Sequence, residues 1–332
     1  MNLHRRTPPD FDFATAVGSY GFFALAPNEW EPKTLALTTV VHAADTVLCI
    51  RLRPARCAGR DVLSINVFNQ SSRREAANPE SAAANRQPAL SPPLSPAQRD
   101  AIHNAVGRML RLDENLTPFH DLCAADPQLR PIAERRFGRL LRSESLFEDI
   151  VKTMCTCNIT WRQTVSIVRR LVERHGTPAA NEPARRAFPT PDQLASVKAD
   201  ELKSGCGLGY RSEWVHTLAR QVADGSFDLG RCENEEMPTD ELYKLLRTIR
   251  GVGDYAASSV CMLLGRYDRL AIDTELIKHY RDRFPRRKPT PTNIRKHYAR
   301  FCPHDYLVYW WELWNRYRDE TGHPTSWTAD GE

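Results

Sequence analysis

The sequence lacks the clustered cysteines of a disulfide framework and the long apolar runs of a membrane span. Its 332 residues include nine cysteines, but these are scattered, and only Cys155 and Cys157 lie close together. Cysteines that staple a small secreted domain are denser than this, so the pattern fits a reducing compartment. No apolar run approaches the roughly 20 residues of a membrane span, and the first residues, MNLHRRTPPDFDF, lack the apolar centre of a signal peptide. We therefore expect a soluble, intracellular protein.

Charge of one sign is not in strong excess either. The formal net charge is +5, which is compatible with a polyanionic partner but does not by itself indicate one. The length is sufficient for two domains and a large buried core. Composition alone therefore leaves the function open, and the local patterns must decide it.

The first 68 residues have the composition of a small β-rich domain. Short β-branched runs at 38–41, 46–50 and 62–68 are separated by turn residues, which predicts an antiparallel meander. Residues 69–96 are poor in apolar side chains and rich in Ser, Ala, Asn and Pro. We interpret them as a disordered linker or insertion.

From Pro96 onward the apolar residues recur with helical period. The pattern predicts a helix that starts at Ser95 or Pro96, further helices as far as residue 317, and a surface loop at 177–187. We place the helical core at 97–320 and a flexible tail at 321–332. The predicted fold class is α+β, a mainly α-helical core preceded by a small antiparallel β-rich domain at 1–68.

The most informative stretch holds two helical patterns joined by glycines. Apolar residues at i, i+3, i+4 and i+7 from Leu242 form one stripe, and Thr239 is the predicted N-cap. Gly251-Val252-Gly253 ends this helix, and a second helical pattern begins at Tyr255. The sequence thus predicts a helix, a tight glycine hairpin and a helix at about 239–264, followed by the isolated carboxylate of Asp273.

Three interpretations of this glycine hairpin compete. Gly251, Gly253, Ala256 and Asp273 match the spacing of a dinucleotide-binding fingerprint, but that motif must follow a β-strand and here follows a helical pattern. A plain αα-hairpin that only packs is the second interpretation. The third is a helix-hairpin-helix that binds nucleic acid, in which the uncovered amides of Gly251, Val252 and Gly253 hold a backbone phosphate at a helix N-terminus.

The hairpin and Asp273 together resemble the helix-hairpin-helix, Gly/Pro-Asp (HhH-GPD) superfamily of base-excision DNA glycosylases. Its members carry the catalytic aspartate some twenty residues after the hairpin, and the layout here is similar to the 8-oxoguanine and alkyladenine (3-methyladenine) branches. The resemblance implies that Asp273 stabilises an oxocarbenium-like sugar and activates water. The residue is also a good N-cap for the helix that follows, and the two roles need not exclude each other.

Two departures from the family's patterns limit the reaction and the cofactors that we expect. Bifunctional members have a lysine two residues after the second hairpin glycine, where this chain has Tyr255. Because a phenol cannot form a Schiff base, we expect a monofunctional enzyme without AP-lyase activity. Tyr255 either faces the flipped base or packs between helices. The endonuclease III branch carries four clustered cysteines after the aspartate, but only Cys302 follows here; we expect no Fe–S cluster, and the resemblance leaves open a monovalent cation at the hairpin carbonyls.

Other segments resemble the parts that handle the opened duplex and the base. Gly207-Leu208-Gly209-Tyr210-Arg211 matches the GLGYR segment of 8-oxoguanine glycosylases. The resemblance implies that Tyr210 wedges beside the orphan base, that Arg211 contacts that base or the backbone, and that Asn158 fills the vacated stack. The alternative for the glycine segment is a helix C-cap and turn. Asn158 is followed by Ile159-Thr160-Trp161, where the family has further asparagines.

The C-terminal part is rich in aromatic and basic residues. The aromatics at 306–317 either line a base pocket, for which we name Trp310, or close the core. The basic residues between Arg281 and Lys296 either add phosphate contacts or form a solvated face.

The sequence therefore predicts a DNA glycosylase that hydrolyses the N-glycosidic bond of an oxidised or alkylated, flipped base. We expect a monomer acting on damaged double-stranded DNA, in the nucleus of a eukaryote or the cytoplasm and nucleoid of a bacterium. The alternative is a non-catalytic helix-hairpin-helix protein that binds damaged or unusual DNA structures. The lesion is not specified by the sequence.

Overall fold

A computed structural model describes residues 1–67 and 93–322 of the chain. The predicted linker at 69–96 and the predicted tail at 321–332 lie outside these ranges, apart from residues 93–96 and 321–322. At the end of the linker, Leu94 is buried and the Ser95 hydroxyl accepts a hydrogen bond from the Gln98 amide at 3.2 Å. A helix begins at Pro96, which confirms the predicted start.

The N-terminal part forms one antiparallel five-stranded sheet with the order β1-β5-β4-β3-β2. Its strands are β1 (Asn2–Arg6), β2 (Glu29–Glu31), β3 (Ala36–Ala43), β4 (Thr46–Cys57) and β5 (Arg60–Val67). The predicted β-branched runs are the three central strands, and β3 pairs with β4 so that Val41 lies opposite Leu48. A short helix α1 (Phe13–Gly18) and a 3-10 turn (Gly21–Ala24) lie between β1 and β2.

The predicted surface loop at 177–187 is wrong. Residues Pro178–Ala179 (β6) and Glu182–Arg186 (β7) form a two-stranded hairpin. Asn181, at its turn, is buried, and its side chain bonds to both the amide and the carbonyl of Cys49 in β4, at 2.8 and 2.9 Å. The hairpin contributes Ala179 and Ala187 to a small apolar cluster with the outer face of the sheet.

The rest of the described chain is helical. In chain order the helices are α2 (Pro96–Leu110), α3 (Thr117–Ala125), α4 (Arg130–Glu134), α5 (Leu146–Thr156), α6 (Trp161–His175), α7 (Pro191–Ser196), α8 (Ala199–Gly205), α9 (Arg211–Ala223), α10 (Leu229–Cys232), α11 (Thr239–Leu246), α12 (Asp254–Leu263), α13 (Thr274–Arg283), α14 (Pro291–Tyr298) and α15 (Asp305–Thr321). A 3-10 turn (Ala299–Phe301) joins α14 to the last loop. The α+β class predicted from the sequence is confirmed. Thr239 is the first residue of α11 and not its cap, because its hydroxyl donates to Asp268 at 2.9 Å.

Sheet and helices share one apolar core. A single cluster of buried side chains contains Leu37 and Leu52 of the sheet together with residues of the helices as far as Trp314 in α15. The indoles of Trp310 and Trp314 donate to the Ser19 and Gly18 carbonyls at 2.6 and 3.0 Å, so the last helix is bonded to the N-terminal segment. In the part of the chain described, no helix is long and apolar enough to cross a membrane.

Candidate functional site

The glycine hairpin forms where the sequence predicted it, between α11 and α12. Gly251 has φ of +87°, and a Cβ at this position would overlap the Trp214 ring, so both its backbone and its surroundings require glycine. Gly253 differs, because its φ is −83° and no atom lies within 4 Å of where its Cβ would be. The second glycine therefore keeps the N-terminus of α12 open on its outer side.

Two of the three hairpin amides are free to bind a ligand. The Val252 N–H donates to the Ile249 carbonyl at 3.0 Å, so the expectation that all three amides are available is wrong for Val252. The amides of Gly251 and Gly253 form no bond to protein atoms in the described ranges. The first amides of α12 point the same way, since a helix leaves its N-terminal donors unpaired and Gly253 provides no side-chain cap.

The first residue of α12 brings a negative charge to this open helix end. The Asp254 carboxylate accepts a hydrogen bond from the Tyr243 hydroxyl at 2.6 Å and pairs with Arg247. Its charge is thus compensated by the arginine that directly follows α11, which limits repulsion of a phosphate at the same amides.

Asp273 caps α13, as the sequence allowed. One carboxylate oxygen accepts from the Leu276 amide at 2.8 Å. Burial raises the pKa of the Asp273 carboxyl above its ordinary value, and the amide hydrogen bonds from Leu276 and Glu275 oppose that rise. The Asp273 side chain is half-buried, so its carboxyl group is partly desolvated. The hydrogen bond from the Leu276 amide fixes its position.

A cavity of about 540 Å³ opens beside this acid. Its walls are rich in aromatic rings from four separate parts of the chain, namely Tyr20, Phe22, Phe23, Trp161, Tyr255, Trp310, Trp314 and Tyr317. We call it the aromatic cavity. Asp273 is not among the lining residues, but it is close enough for its charge to raise the pKa of the lining residues Tyr20 and Tyr255, after the larger effect of burial.

Both predicted pocket residues reach this cavity. The pKa of Tyr255 is raised to about 12, chiefly by burial and then by Asp273. Trp310 lies against Tyr20, with ring centroids 5.2 Å apart. Sequence reasoning missed Tyr20, Phe22 and Trp161.

The two predicted gap-filling residues lie next to each other on the surface. The Asn158 amide nitrogen is 3.3 Å from the Tyr210 hydroxyl, and Asn158 adopts a left-handed backbone with φ of +54°. Tyr210 is 49% exposed and packs edge-on against Trp214 at 4.9 Å. Trp214 also covers Gly251, so the same indole ring packs against both the exposed Tyr210 and the hairpin.

Arg211 is not placed as the sequence suggested. The resemblance implied contact with a base or the backbone of DNA, but the side chain is only 4% exposed. Its guanidinium donates through Nε and Nη2 to the Cys157 carbonyl, the Nε bond being 3.1 Å long. In the free protein Arg211 therefore fixes the turn that presents Asn158, because the charged donor is satisfied inside the protein.

The hairpin carbonyls remain the predicted place for a monovalent cation. Among the described residues no three His, Cys, Asp or Glu side chains come together in a way that could hold a metal ion.

The basic residues between Arg281 and Lys296 are exposed, and Arg283 pairs with Glu312 at 3.3 Å.

Comparison with known proteins gives a family match over part of the chain and a similar overall fold. Residues 151–304 match the model of the HhH-GPD superfamily of base excision DNA repair proteins. A DNA-3-methyladenine glycosylase from Bacillus subtilis (strain 168) is 27% identical over 177 residues, which are 53% of this chain and 58% of that protein. The chain thus spans less than two thirds of the length of this curated relative.

Two solved structures resemble the whole architecture. A 3-methyladenine DNA-glycosylase from Archaeoglobus fulgidus has a TM-score of 0.68 at 17% identity, covering 95% of this chain and 98% of its own. The apo-form of the 8-oxoguanine glycosylase/lyase from Clostridium acetobutylicum has a TM-score of 0.68 at 15% identity, covering 94% and 95%. At such identities these similarities establish the fold alone. The match to the HhH-GPD superfamily model contains both the glycine hairpin and Asp273, so this part of the chain, residues 151–304, is similar to that superfamily.

Proposed function

We propose that this protein is a base-excision DNA glycosylase that hydrolyses the N-glycosidic bond of a damaged base flipped out of double-stranded DNA. One observation supports the proposal: a partly desolvated acid, Asp273, follows a hairpin with free amides and acts electrostatically on Tyr255, which lines a cavity of aromatic walls. The named relatives, which include 3-methyladenine and 8-oxoguanine glycosylases, support the same class. The protein would act as a monomer.

The positions of these residues suggest a separate role in the reaction for each of them. The amides of Gly251 and Gly253, with the N-terminus of α12, would hold a backbone phosphate and so fix the strand. Tyr210 and Asn158 would fill the gap left by the extruded nucleotide. The ionised Asp273 would stabilise the positive charge that develops on the sugar and would orient the attacking water.

A covalent lysine route has no suitable residue at the hairpin. Tyr255 occupies the position where bifunctional relatives carry the amine. Lys152, whose Nζ lies 5.5 Å from the centre of the cavity-lining Phe22 ring, is fully buried and pairs with Glu148 at 2.6 Å. An ammonium held in this way cannot reach a sugar carbon, so we propose hydrolysis by water without AP-lyase activity.

The walls favour an alkylated base over an oxidised one. Alkylation at a ring nitrogen leaves many purines positively charged, whereas 8-oxoguanine is neutral. The faces of Tyr, Phe and Trp rings attract a cation, and Asp273 adds a negative potential behind them. Neither feature gives a comparable advantage to a neutral oxidised purine.

The test is a base-release assay on a panel of duplexes carrying alkylated, oxidised, deaminated or mismatched bases. We expect release of a cationic alkylated purine and no strand cleavage until alkali is added. Borohydride added during turnover should trap no protein–DNA adduct; a trapped adduct would refute the monofunctional assignment.

The same panel separates the alternative of a non-catalytic binder. If no duplex in the panel loses a base while abasic or mismatched duplexes bind with a steep salt dependence, the protein is a damage-recognition module and the proposed hydrolysis is wrong.

A further inference from the structure

Helix α15 borders a second cavity, of about 340 Å³, on a different face from the aromatic cavity. Trp310, Trp314 and Tyr317 line the first, whereas Trp311, Asn315 and Arg318 line the second. The two sets point in different directions because residues three and four apart share one face of a helix. The second cavity therefore opens away from Asp273 and has no part in the proposed hydrolysis.

Four arginines from four separate elements line this second space, which we call the arginine cavity. Arg135 follows α4, Arg283 ends α13, Arg300 lies in the 3-10 turn after α14, and Arg318 belongs to α15. Its lining also contains two acidic residues, Asp126 and Glu312. With every group ionised, the lining carries four positive and two negative charges.

Two of these arginines are already neutralised within the protein. Arg283 lies 3.3 Å from Glu312, and Arg318 lies 2.7 Å from Asp319. Glu312 is occupied further, because His279 and the Tyr298 hydroxyl bond to it at 3.0 and 2.7 Å. The negative charge of Glu312 is therefore compensated by groups of the protein itself.

The other two arginines are held without an anion. Within the described ranges neither Arg135 nor Arg300 forms an ion pair. Each guanidinium lies over a ring instead, Arg135 at 5.7 Å from the Trp311 centroid and Arg300 at 4.5 Å from that of Phe301. Stacking on a ring orients a guanidinium and leaves its in-plane N–H donors free. The positive potential also reaches His297, whose pKa is lowered by burial and then by Arg300.

We propose that the arginine cavity binds a phosphate-bearing ligand through Arg135 and Arg300. Guanidinium forks match phosphate oxygens with paired hydrogen bonds. The volume is at the small end of ligand sites, which span about 300–1,000 Å³, so it suits one or two phosphate groups. The phosphate could come from a free nucleotide or from DNA backbone beyond the damaged base; both sources present the same chemistry.

The first experiment measures binding of inorganic pyrophosphate to the full chain by isothermal titration calorimetry. The test variant is R135Q/R300Q, and the control R56Q/R60Q removes the same charge from the end of the β4–β5 hairpin. The second measures affinity for an undamaged duplex over a range of salt concentrations. Neither readout requires base release, so failure of the proposed hydrolysis would not affect them.

If a free phosphate compound is the ligand, R135Q/R300Q should bind pyrophosphate about tenfold more weakly or worse, with the control unchanged. If the DNA backbone is the ligand, the salt dependence of the double variant should lose about 0.9 in slope for each phosphate contact removed. If neither quantity distinguishes the double variant from the control, the arginine cavity is not a phosphate site.

Thermal unfolding of each variant checks the fold, because both arginines cover aromatic rings. Should R135Q/R300Q unfold, R135K/R300K provides the second measurement. Lysine keeps the charge but lacks the planar fork, so pyrophosphate or duplex binding should still weaken. Unchanged binding in this folded variant would also overturn the proposal.

Discussion

At the scale of single residues, Asp273 has the two properties that the sequence analysis allowed it to combine, a helix cap and a partly desolvated acid. Its carboxylate caps α13 through the Leu276 amide at 2.8 Å. The cap fixes the side chain, while burial raises the pKa of the acid. A carboxyl with a raised pKa binds its proton more tightly in the native state than in the unfolded chain. Its contribution to stability is therefore greatest at low pH and falls as pH rises through the native pKa.

Asp273→Asn separates these two properties. Asparagine is also a good N-cap and carries no buried charge, so the free energy of unfolding near neutral pH should stay the same or rise. Base release should fall by about 10²–10⁴, because the anion that acts on the sugar and water is lost. In the wild type, release should increase as pH rises through the raised pKa of Asp273, since the ionised form is active.

The matched control is Asp228→Asn, which changes another aspartate N-cap, at α10, whose side chain bonds to the Gly230 amide at 2.8 Å. It should leave base release unchanged. Full activity of Asp273→Asn on the substrate identified by the duplex panel would remove Asp273 from the mechanism.

The hydrogen-bond partner of Arg211 could not be predicted from the sequence. Its neighbours in the chain, Gly209 and Tyr210, behave as a local turn and an exposed ring, as the pattern suggested. The partner of Arg211 is the carbonyl of Cys157, 54 positions earlier. No periodicity or spacing encodes a contact of this kind, since it depends on how α5 and α9 come together.

At the scale of elements, the glycine hairpin is the part that the sequence predicts best. The apolar stripe of α11, the two glycines and the start of α12 are local features, and local chemistry is sufficient to form them. The same local pattern could not show that Gly251 and Gly253 differ in kind. That difference comes from the left-handed backbone of Gly251 and from Trp214, which α9 places against Gly251 alone.

Gly251→Ala and Gly253→Ala should therefore have different effects. At Gly251, the left-handed backbone costs about 1–2 kcal/mol for alanine, and overlap with Trp214 adds about 1–3 kcal/mol. At Gly253, the loss of stability should not exceed ~1 kcal/mol, the usual cost of alanine at an N-cap. Instead, the new methyl group would cover the amides and weaken duplex binding about tenfold, which corresponds to one lost hydrogen bond to a charged group.

Chemical denaturation and duplex binding, measured on both variants, check this prediction. A Gly253→Ala that lost as much stability as Gly251→Ala would contradict the open surroundings of Gly253. A Gly253→Ala that bound undamaged duplex as tightly as the wild type would contradict a phosphate site at the hairpin.

The hairpin β6–β7 illustrates the opposite limit of sequence reasoning. Residues 177–187 are polar enough to indicate a loop, and the contacts that attach them to the sheet, such as the bonds of Asn181 to Cys49 and of the Ala180 amide to the Val47 carbonyl, join residues far apart in the chain.

At the scale of the whole molecule, the sheet and the helices form one apolar core. The sequence predicted both parts, but not that α15 would return to the residues just after α1. The aromatic cavity depends on this return, because its walls come from the segment 18–24 and from α15 as well as from α5, α6 and α12. A long-range arrangement of this kind is decided by packing and not by local propensity.

A shared core predicts a single cooperative unfolding transition. Amides of β3 and β4 should exchange with solvent with the same free energy of opening as those of α15, and hydrogen-exchange mass spectrometry can measure both. Trp314→Phe leaves the Gly18 carbonyl without its indole donor and should lower both values together by about 1–3 kcal/mol.

Trp161→Phe is the control, since Trp161 is 42% exposed and its loss should change neither value. If Trp314→Phe lowered protection in α15 and left the sheet unaffected, the two parts would unfold independently and the shared core would not be cooperative.

The attachment of the last helix to the N-terminal segment places part of the aromatic cavity outside the region that matches the family model. Residues 151–304 contain the glycine hairpin and Asp273, together with Trp161 and Tyr255 of the cavity wall, but Ser19, Tyr20 and Trp310 lie outside them. If the protein is the proposed glycosylase, substitutions near the two ends of the described chain therefore change which base fits the cavity and leave the proposed cleavage residues in place.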